Sequence, residues 1–454
     1  EIKECDWSSD VCSSDLVWAL TLHNVWAQET IKVGVILTLT GPHTGFGVIE
    51  KRSFEMAQNE INAAGGINGR KLELLFGDEA GNPQVARASA SQLVNADKVV
   101  MLCGGYSSDE TYEAAELAQR NSIPFLISTA AADELTQQGW EWVFRLNPPA
   151  SDYVNGLESF LLEVLQPQTA VILYADGRFG SSSARSFERT CELLDIKILL
   201  KEAYPEKDLD YRPLLNRVKQ ANPDVVYMVS LVEDAPRLMS QCMELDITPK
   251  AFLGGGAGFT MPEFRLNAGK ASERLMTTAL WHQTLPYPGA NEYFDSYRKQ
   301  FGQETEYHGV EAYATVHVIA DVLKRAKSLA GSDLRQALLA TDLKTAFGPV
   351  KFVDYLAMTN QNVLSTYVAQ WIDGKLELVW PQEVATRKCL YPVDWKSVWK
   401  GLATWNGRFA VDSLVRQACS TASVPISPHT LTRQKGGVVV PEHLHSFVIT
   451  DHLW

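Results

Sequence analysis

The 454-residue sequence predicts an α/β protein built from two doubly wound lobes. Short apolar runs typical of buried strands alternate along the chain with segments whose apolar residues recur at helical spacing. This alternation comes in two successive series, separated by Pro148-Pro149. Loops rich in glycine and hydroxyl residues follow several of the runs. Strands that alternate with helices form parallel sheets with right-handed crossovers, so each series predicts one open sheet covered by helices.

The first series begins with the apolar run at residues 31–39, followed by a helix with Phe54, Ala57 and Ile61 on one face. Gly65-Gly66 ends this helix. The other strands of the first series are predicted at residues 72–76, 99–102 and 123–127. Those of the second series are predicted at residues 170–174, 196–200, 225–229 and 251–253. Ligands bind beyond the carboxyl ends of such strands, which directs attention to the loops at 40–47, 104–109 and 128–132.

Composition excludes several classes of function. A formal charge of -13 argues against a nucleic-acid-binding protein, which needs a concentrated basic surface. No run of about 20 apolar residues is present, so no segment is predicted to span a membrane. The seven cysteines form no CxxC motif and do not stand near histidines at zinc-finger spacing. The sequence therefore predicts neither a disulfide framework nor a metal site.

A Rossmann-type enzyme is the alternative that the glycine pattern raises. Gly45-Phe46-Gly47 follows the first predicted strand, but Glu50 stands where a dinucleotide-binding motif needs its third glycine. The glycine-rich stretch at 254–258 lacks a ribose-binding acidic residue at the required distance, and Gly269-Lys270-Ala271 lacks the hydroxyl residue of a P-loop. No GxSxG or HExxH motif is present. The prediction is a protein that is not an enzyme and has no cofactor.

The two ends of the sequence differ from the middle. Residues 1–16 contain a near-repeat, WSSDV followed by CSSDL, which predicts an artefactual leader, with a native linker as the alternative. Residues 17–27 are interpreted as the remnant of a secretory signal cleaved after Ala27, which predicts a periplasmic protein. Residues 389–454 show no steady period and are predicted to be a poorly structured, non-native tail, with a small extra domain as the alternative.

An ordered series of motifs runs through the middle of the chain. In chain order it comprises residues 41–47, 61–72 (INAAGGINGRKL), 121–136, 174–180 (YADGRFG), 222–227 (NPDVVY), 347–352 (FGPVKF) and 370–375 (QWIDGK). This series resembles the branched-chain amino acid (Leu/Ile/Val) binding proteins of ABC transporters, which are type I periplasmic binding proteins. The resemblance covers about residues 31–388. It implies two Rossmann-like lobes joined by a three-segment hinge.

The resemblance places the three hinge crossings near residues 145–150, 275–284 and 346–351. Lobe 1 is then expected to comprise residues 31–147 and 283–347, and lobe 2 residues 148–280 and 350–388. The implied function is capture of a branched-chain or hydrophobic amino acid, or a related small amide or carboxylate, by a monomer that delivers it to a membrane permease. A ligand-sensing module of a receptor or regulator is the alternative within the same fold.

The resemblance also implies the ligand-binding residues. A serine loop and a stretch of exposed amides before helices suit a ligand carboxylate. The residues that match these two stretches are Ser107, Ser108, Ser128, Thr129, Ala130 and Ala131. Aromatic walls are expected at Phe46 and Phe179, and Trp281 beside a hinge segment is a further candidate. Leu231 and Gly256 match positions that hold a tyrosine and an acidic residue in the amino-acid binders, so the identity of the ligand stays open.

Overall fold

The computed structural model describes residues 30–401 and two short paired strands, Arg433–Gln434 and Gly437–Val438. The predicted leader at residues 1–16, the signal remnant at 17–27 and most of the predicted tail lie outside the described residues. Within the described part of the chain, no helix is both long enough and apolar enough to cross a bilayer. Two seven-stranded sheets form the centres of two lobes.

The first sheet contains a parallel block of six strands and one antiparallel strand at its edge. Its strands in chain order are β1 (Ile31–Leu37), β2 (Leu72–Asp78), β3 (Leu102–Gly104), β4 (Phe125–Ile127), β5 (Val143–Arg145), β13 (Val353–Tyr355) and β14 (Met358–Gln361). Their spatial order is β13-β14-β5-β4-β3-β1-β2. The packed helices are α1 (Thr44–Ala63), α2 (Pro83–Asn95), α3 (Ser108–Asn121), α4 (Glu134–Gln137), α10 (Ala290–Phe301), α11 (Tyr307–Arg325) and α12 (Gly331–Leu339).

The second sheet has a parallel block of five strands and two further antiparallel strands at one edge. Its strands are β6 (Thr169–Ala175), β7 (Lys197–Tyr204), β8 (Val225–Val229), β9 (Ala251–Gly254), β10 (Met276–Ala279), β15 (Tyr367–Ile372) and β16 (Lys375–Trp380), in the order β16-β15-β10-β9-β8-β6-β7. Its helices are α5 (Asn155–Phe160, continued by a π-helical turn Leu161–Leu165), α6 (Arg178–Leu193), α7 (Arg212–Ala221), α8 (Asp234–Glu244), α9 (Pro262–Ala268) and α13 (Trp395–Gly401). A small hairpin, β11 (Leu343–Lys344) and β12 (Pro349–Val350), lies between α12 and β13.

The central strands form because their apolar runs are buried on both faces. In β1 every residue except Lys32 is buried, and in β8 all five residues are buried. Helices cover both sides of each sheet, as the continuous apolar composition of parallel strands requires. The α/β fold class of two doubly wound lobes that the sequence predicts is confirmed.

The chain passes between the two sheets three times. The first two passages follow β5 and β10, at the first two predicted crossings. The predicted third crossing at 346–351 is wrong, and so is the placement of all of residues 350–388 in lobe 2. Strands β13 and β14 extend the first sheet, where Gln361 pairs with Arg145 of β5. The polar hairpin β13-β14 adds two strands to the edge of the first sheet. The chain therefore returns to the second sheet only after β14.

The start of the predicted tail is also ordered. Both the amide and the carbonyl of Leu390 bond to the side chain of Gln370, at 2.9 and 3.1 Å. Helix α13 then packs on the second lobe through Trp395, which is 1% exposed and lies edge-on to Phe252. Residues 389–401 are therefore part of lobe 2. A single short helix after a proline carries too few residues to show a period, which is why the sequence pattern missed it.

Trp395→Phe is expected to lower the free energy of unfolding by about 1–2 kcal/mol. The indole Nε1 of Trp395 donates to the carbonyl oxygen of Pro249 at 2.6 Å, and phenylalanine leaves that buried acceptor unpaired. Trp399→Phe is the matched control, because Nε1 of Trp399 is buried without a hydrogen-bond partner. Urea denaturation of the two variants tests the difference. Equal losses in the two variants would contradict the role assigned to the Trp395 hydrogen bond.

Candidate ligand-binding cleft

A cleft of about 180 Å³ lies between the two lobes. It opens where strands β1, β3 and β4 of the first sheet and β6 and β7 of the second lead into their loops. Lobe 1 contributes lining residues from all three loops that the sequence singled out, including His43, Tyr106 and Thr129. Lobe 2 contributes residues that follow β6 and β7, including Asp176 and Glu206. The cleft thus lies at the carboxyl ends of both parallel blocks.

The serine loop before α3 lines the cleft, but its polar groups are largely engaged within the protein. Ser107 donates its hydroxyl to the carboxylate of Glu110, and its amide points at Oε1 of Glu79 from 3.5 Å. The hydroxyl of Ser108 accepts a hydrogen bond from the amide of Ala132 at 3.1 Å. Two carboxylates of the protein therefore already occupy the surroundings in which a ligand carboxylate was expected.

The stretch after β4 contributes two of its four predicted residues. Thr129 and Ala131 line the cleft. Ser128 and Ala130 do not, because their amides bond to the carbonyl oxygens of Gly104 and Gly105 within the sheet-to-loop transition. Alternation of successive residues in this extended segment accounts for the split, since neighbouring side chains face opposite sides.

Lobe 2 provides the opposite wall. Phe179, near the start of α6, and Leu231, after β8, both line the cleft. Gly256 does not line it, although its neighbour Ala257 does. Gly256 has φ of +79°, and a Cβ there would lie 3.4 Å from the ring of Tyr153. This glycine therefore lets the loop after β9 approach the aromatic side chains of the cleft.

Two predicted aromatic walls lie elsewhere. Phe46 is fully buried and stacks on Tyr106, with ring centroids 4.2 Å apart, so it supports a lining residue from behind. Trp281 donates Nε1 to the carbonyl oxygen of Ala346 at 2.8 Å and lines a separate groove that includes His282. The predictions that Phe46 and Trp281 wall the cleft are not met, because local packing directs both rings away from it.

Contacts between the lobes hold the cleft shut. Arg178 of α6 forms an ion pair with Asp109 at 3.1 Å and a second one with Glu134, and its guanidinium lies 4.1 Å from the ring centroid of Tyr112. We call Arg178 and these three partners the latch. On the other side of the cleft, His43 of lobe 1 bonds through Nε2 to Glu206 of lobe 2.

The floor of the cleft also joins the lobes. The amide of Ala257 donates to the hydroxyl of Tyr307 at 2.9 Å, and Thr260 Oγ1 donates to Glu306 at 3.1 Å. A small apolar cluster crosses the same boundary and comprises Phe46, Ile49 and Tyr106 of lobe 1 with Leu231, Val232 and Met261 of lobe 2. The structure is thus a closed form, in which both lobes touch around the cleft.

A family model described as "Periplasmic binding protein" matches residues 30–375 of this sequence. The chain belongs to the periplasmic binding protein family. The resemblance inferred from the sequence motifs is therefore confirmed, and the family is one of solute-binding proteins rather than of enzymes.

Relatives of this periplasmic binding protein include "Leu/Ile/Val-binding protein homolog 7" of Brucella melitensis. That protein is 28% identical over 380 residues, which cover 81% of this chain and 95% of the relative. "Leu/Ile/Val-binding protein homolog 8" of Brucella abortus is 29% identical over 380 residues, covering 80% and 93%.

Two solved structures share the fold. The branched-chain amino acid transporter substrate binding protein LivJ of Streptococcus pneumoniae, in complex with isoleucine, superposes with a TM-score of 0.70 at 24% identity, covering 78% of this chain and all of that one. A solute-binding protein of an ABC transporter from R. palustris, in complex with benzoate, gives 0.70 at 17% identity, covering 77% and 96%.

Several lining residues of this periplasmic binding protein were not singled out from its sequence. They are His43, Tyr106, Glu110, Tyr153, Glu206, Tyr307 and His308. His43 and Tyr106 lie in loops that the sequence predicts at the cleft, but the motifs in those loops point to serines and a phenylalanine. Glu206 follows β7, and Tyr307 and His308 begin α11, whose N-cap residue Glu306 accepts the amide of His308. Glutamate is not a preferred N-cap residue, so the sequence gives no clear start signal for this helix, and nothing in it places Tyr307 or His308 against the cleft.

Burial perturbs the acidic groups around the cleft. The pKa of Glu79 is raised to about 7 by burial and by the nearby Glu110, although Thr38 donates a hydrogen bond to it. The pKa of Asp234 is likewise raised to about 7 by burial and by the nearby Glu206. Both carboxyl groups therefore exchange protons near neutral pH.

Burial and nearby charges also shift the pKa values of His43 and of the more deeply buried carboxyl groups. Burial opposes protonation of His43, but its hydrogen bond to Glu206 and the surrounding carboxylates outweigh that effect and raise its pKa. Glu50 and Glu311 are fully buried, which raises the pKa of each well above its usual value. Among the described residues, no group of three or more His, Cys, Asp or Glu side chains has the arrangement of a metal site.

Proposed function

We propose that this chain is the substrate-binding protein of an ABC importer, which captures one small organic molecule between its lobes and delivers it to a membrane permease. The observation that carries the proposal is the cleft, lined by both lobes at the carboxyl ends of both sheets and shut by contacts between them. We further propose that the protein acts as a monomer in the periplasm, after removal of a secretory signal.

The size of the cleft limits the cargo. The cleft volume is about 180 Å³. A single amino acid or a single substituted ring has this scale, and a peptide or nucleotide does not. The isoleucine and benzoate bound by the two structural neighbours are of the same scale, and both support cargo of this size.

Capture follows from the contacts across the cleft. A ligand that touches both Tyr106 of lobe 1 and Phe179 of lobe 2 makes its full set of contacts only when the lobes are together. It therefore binds the closed form more tightly than an open one and shifts the population toward closure. The latch and the His43–Glu206 pair add contacts that exist only in that closed form. The permease then distinguishes loaded from empty protein by the relative position of the lobes.

Thermal melting of the full-length protein with candidate small molecules tests the proposal. The panel contains isoleucine, benzoate, benzamide and benzylamine, which share a small apolar body and differ in charge. A ligand of the folded state raises the melting temperature by mass action, and solution scattering should show a smaller radius of gyration at saturation. A well-folded protein that responds to none of these compounds would count against the proposed function.

The latch is expected to contribute to affinity. Arg178→Met should weaken binding of whichever panel compound binds best by about tenfold, since two partly exposed ion pairs and one cation–π contact add roughly 1–2 kcal/mol to the closed form. Arg185→Met is the matched control, because Arg185 lies on the same helix and donates to Ser182 within lobe 2. Titration calorimetry measures both variants. Equal affinities in the two would show that the latch does not stabilise the closed form.

A further inference from the structure

One side of the cleft collects acidic groups from both lobes. Glu110 of α3 is 6% exposed, and Glu206 of lobe 2 lines the cleft opposite it. Behind them lie Glu79 and Asp234, both fully buried. Electrostatic interactions connect the set, since Glu110 acts on Glu79, Glu206 acts on Asp234, and both pairs act on His43. We call these four carboxyl groups the acidic corner.

Buried polar atoms without a hydrogen-bond partner lie in residues of the same region. Tyr106 and His43 line the cleft, and the hydroxyl of Tyr106 and Nδ1 of His43 are buried without a hydrogen-bond partner among the described residues. The two residues are 7% and 8% exposed. Oε2 of Glu79 is also buried without a partner. Buried polar groups are nearly always paired in folded proteins, so these atoms indicate that a ligand completes the site.

Positive charge is scarce around the cleft. Among the described residues that line it, Lys207 is the single lysine or arginine, and it is exposed to solvent. Arg178 lies next to the cleft but is held by the latch. The raised pKa of His43 makes this buried imidazole a partial counter-charge. An anionic ligand would still meet the carboxyl groups of the acidic corner, whose charge His43 offsets only in part, which costs desolvation energy and adds repulsion.

Aromatic side chains complete the surroundings. Tyr106, Tyr153, Phe179 and Tyr307 all line the cleft. Aromatic faces attract a cation through the ring quadrupole, by about 0.5–2 kcal/mol for each well-placed ring. A ligand that pairs a positive charge with a small apolar body therefore meets both acceptors and aromatic faces in this cleft.

We propose that the cleft selects a small organic cation, such as a primary amine or amidine, and holds its N–H groups at Glu110, Glu206 and Tyr106. This inference rests on the proposed function and gives the class of its cargo. It differs from what the isoleucine and benzoate complexes of the neighbours suggest, because those ligands are a zwitterion and an anion.

Proton release provides a readout that is independent of affinity. A bound cation favours the ionised form of Glu79 and Asp234, lowers their pKa values from about 7, and expels protons. An anion would do the reverse. The titratable groups that face them are Glu50, Glu110 and His43 around Glu79, and Tyr106, Tyr204, Tyr211, Glu206 and His43 around Asp234. Affinity for a cation is accordingly expected to rise as the pH increases from about 6 to about 8.

Titration calorimetry with benzylamine, benzamide and benzoate tests the inference on the full-length protein. These probes share one ring and carry a positive charge, no charge and a negative charge at neutral pH. Benzylamine is expected to bind at least tenfold more tightly than benzamide and to release protons, measured in two buffers of different ionisation enthalpy at pH 7. Tighter binding of benzoate or isoleucine than of benzylamine would overturn cation selection and leave the proposed function standing. If none of these probes binds, the result would count against both cation selection and the proposed function.

Variants of the acidic corner complete the test. Glu110→Gln and Glu206→Gln should each reduce the preference for benzylamine over benzamide by about tenfold. The ratio is the readout, because loss of the His43–Glu206 contact alone weakens both probes equally. Glu202→Gln is the matched control, since Glu202 lies on β7 and pairs with Arg217 at 2.6 Å. An unchanged ratio in both variants would overturn the assignment of the cation to this corner.

Discussion

Gly47→Ala is expected to lower the free energy of unfolding by about 3 kcal/mol, while Gly45→Ala two residues earlier leaves it within about 0.5 kcal/mol. A Cβ at Gly47 would lie 1.8 Å from the carbonyl oxygen of Thr38, and no flexible side chain can move to make room. A Cβ at Gly45 would meet only side-chain atoms of Val232 and Met261, at 3.7 and 3.8 Å. Both glycines lie in the first turn of α1, so the change in helix propensity on replacing glycine by alanine is the same in the two variants.

The consequence of the substitution extends to the cleft. Helix α1 crosses the end of β1 at Gly47, so an alanine moves the helix away from the sheet. Phe46 moves with it and loses its stacking on Tyr106, which lines the cleft. Affinity for any panel ligand should fall together with stability. Urea denaturation followed by circular dichroism gives the stability of both variants. A Gly47→Ala protein as stable as Gly45→Ala would show that the helix and strand separate more easily than the structure implies.

Lobe 2 repeats this close approach. A Cβ at Gly180, in the first turn of α6, would lie 1.9 Å from the carbonyl oxygen of Ala175 at the end of β6. In each lobe, the helix that follows the first strand of the sheet therefore packs against that strand through a glycine. This packing role explains why Gly45-Phe46-Gly47 suggests a dinucleotide-binding loop without completing one. The glycine is needed for contact between helix and strand, whatever the ligand.

The sequence predicts the buried strands well and the polar edge strands poorly. Residues 225–229 were predicted as a strand and form β8 with the same bounds, because an apolar run buried on both faces leaves a continuous signal. Strand β14 has the sequence MTNQ, which no pattern of hydrophobicity marks. It forms because Gln361 and Asn360 bond to the first sheet through their side chains. The misplaced third crossing follows from that omission.

The sequence predicts where the cleft lies, but not which chemical groups line it. Loops after parallel strands were marked correctly as its position, because topology alone fixes that edge. The pairing of His43 with Glu206 joins residues 163 positions apart in different lobes, and no local motif records it. The choice of serines over acidic residues followed the resemblance to amino-acid binders. In the structure the hydroxyl of Ser107 instead donates to the carboxylate of Glu110. The cleft therefore presents an acidic group where a neutral hydroxyl was expected.

Arg145→Met is expected to lower the free energy of unfolding by at least about 3 kcal/mol. Arg145 ends β5 and is fully buried. Its guanidinium donates to the carbonyl oxygen of Ala132 at 2.6 Å, to Thr136 Oγ1 at 2.8 Å and to Gln361 Oε1 at 2.7 Å. Methionine fills part of the volume and leaves all three acceptors short of a donor. Burial lowers the pKa of Arg145 to about 10, so the group remains charged at neutral pH.

Arg120→Met is the control for this prediction. Arg120 is an exposed residue of α3 that pairs with Glu116 one turn earlier, and an exposed pair of this kind contributes about 0.5 kcal/mol or less. Urea denaturation compares the two variants, and hydrogen exchange of the β14 amides locates the loss. Equal midpoints would show that Ala132, Thr136 and Gln361 find other donors.

The position of Arg145 gives this prediction a functional consequence. The first passage between the lobes begins directly after Arg145, and the third begins directly after its partner Gln361. One buried guanidinium therefore fixes the lobe 1 ends of two hinge segments relative to each other. Lobe closure requires these segments to bend together from a common, rigid base. Arg145→Lys keeps the charge but cannot reach three acceptors in one plane, so it should recover stability only in part and leave ligand affinity lowered.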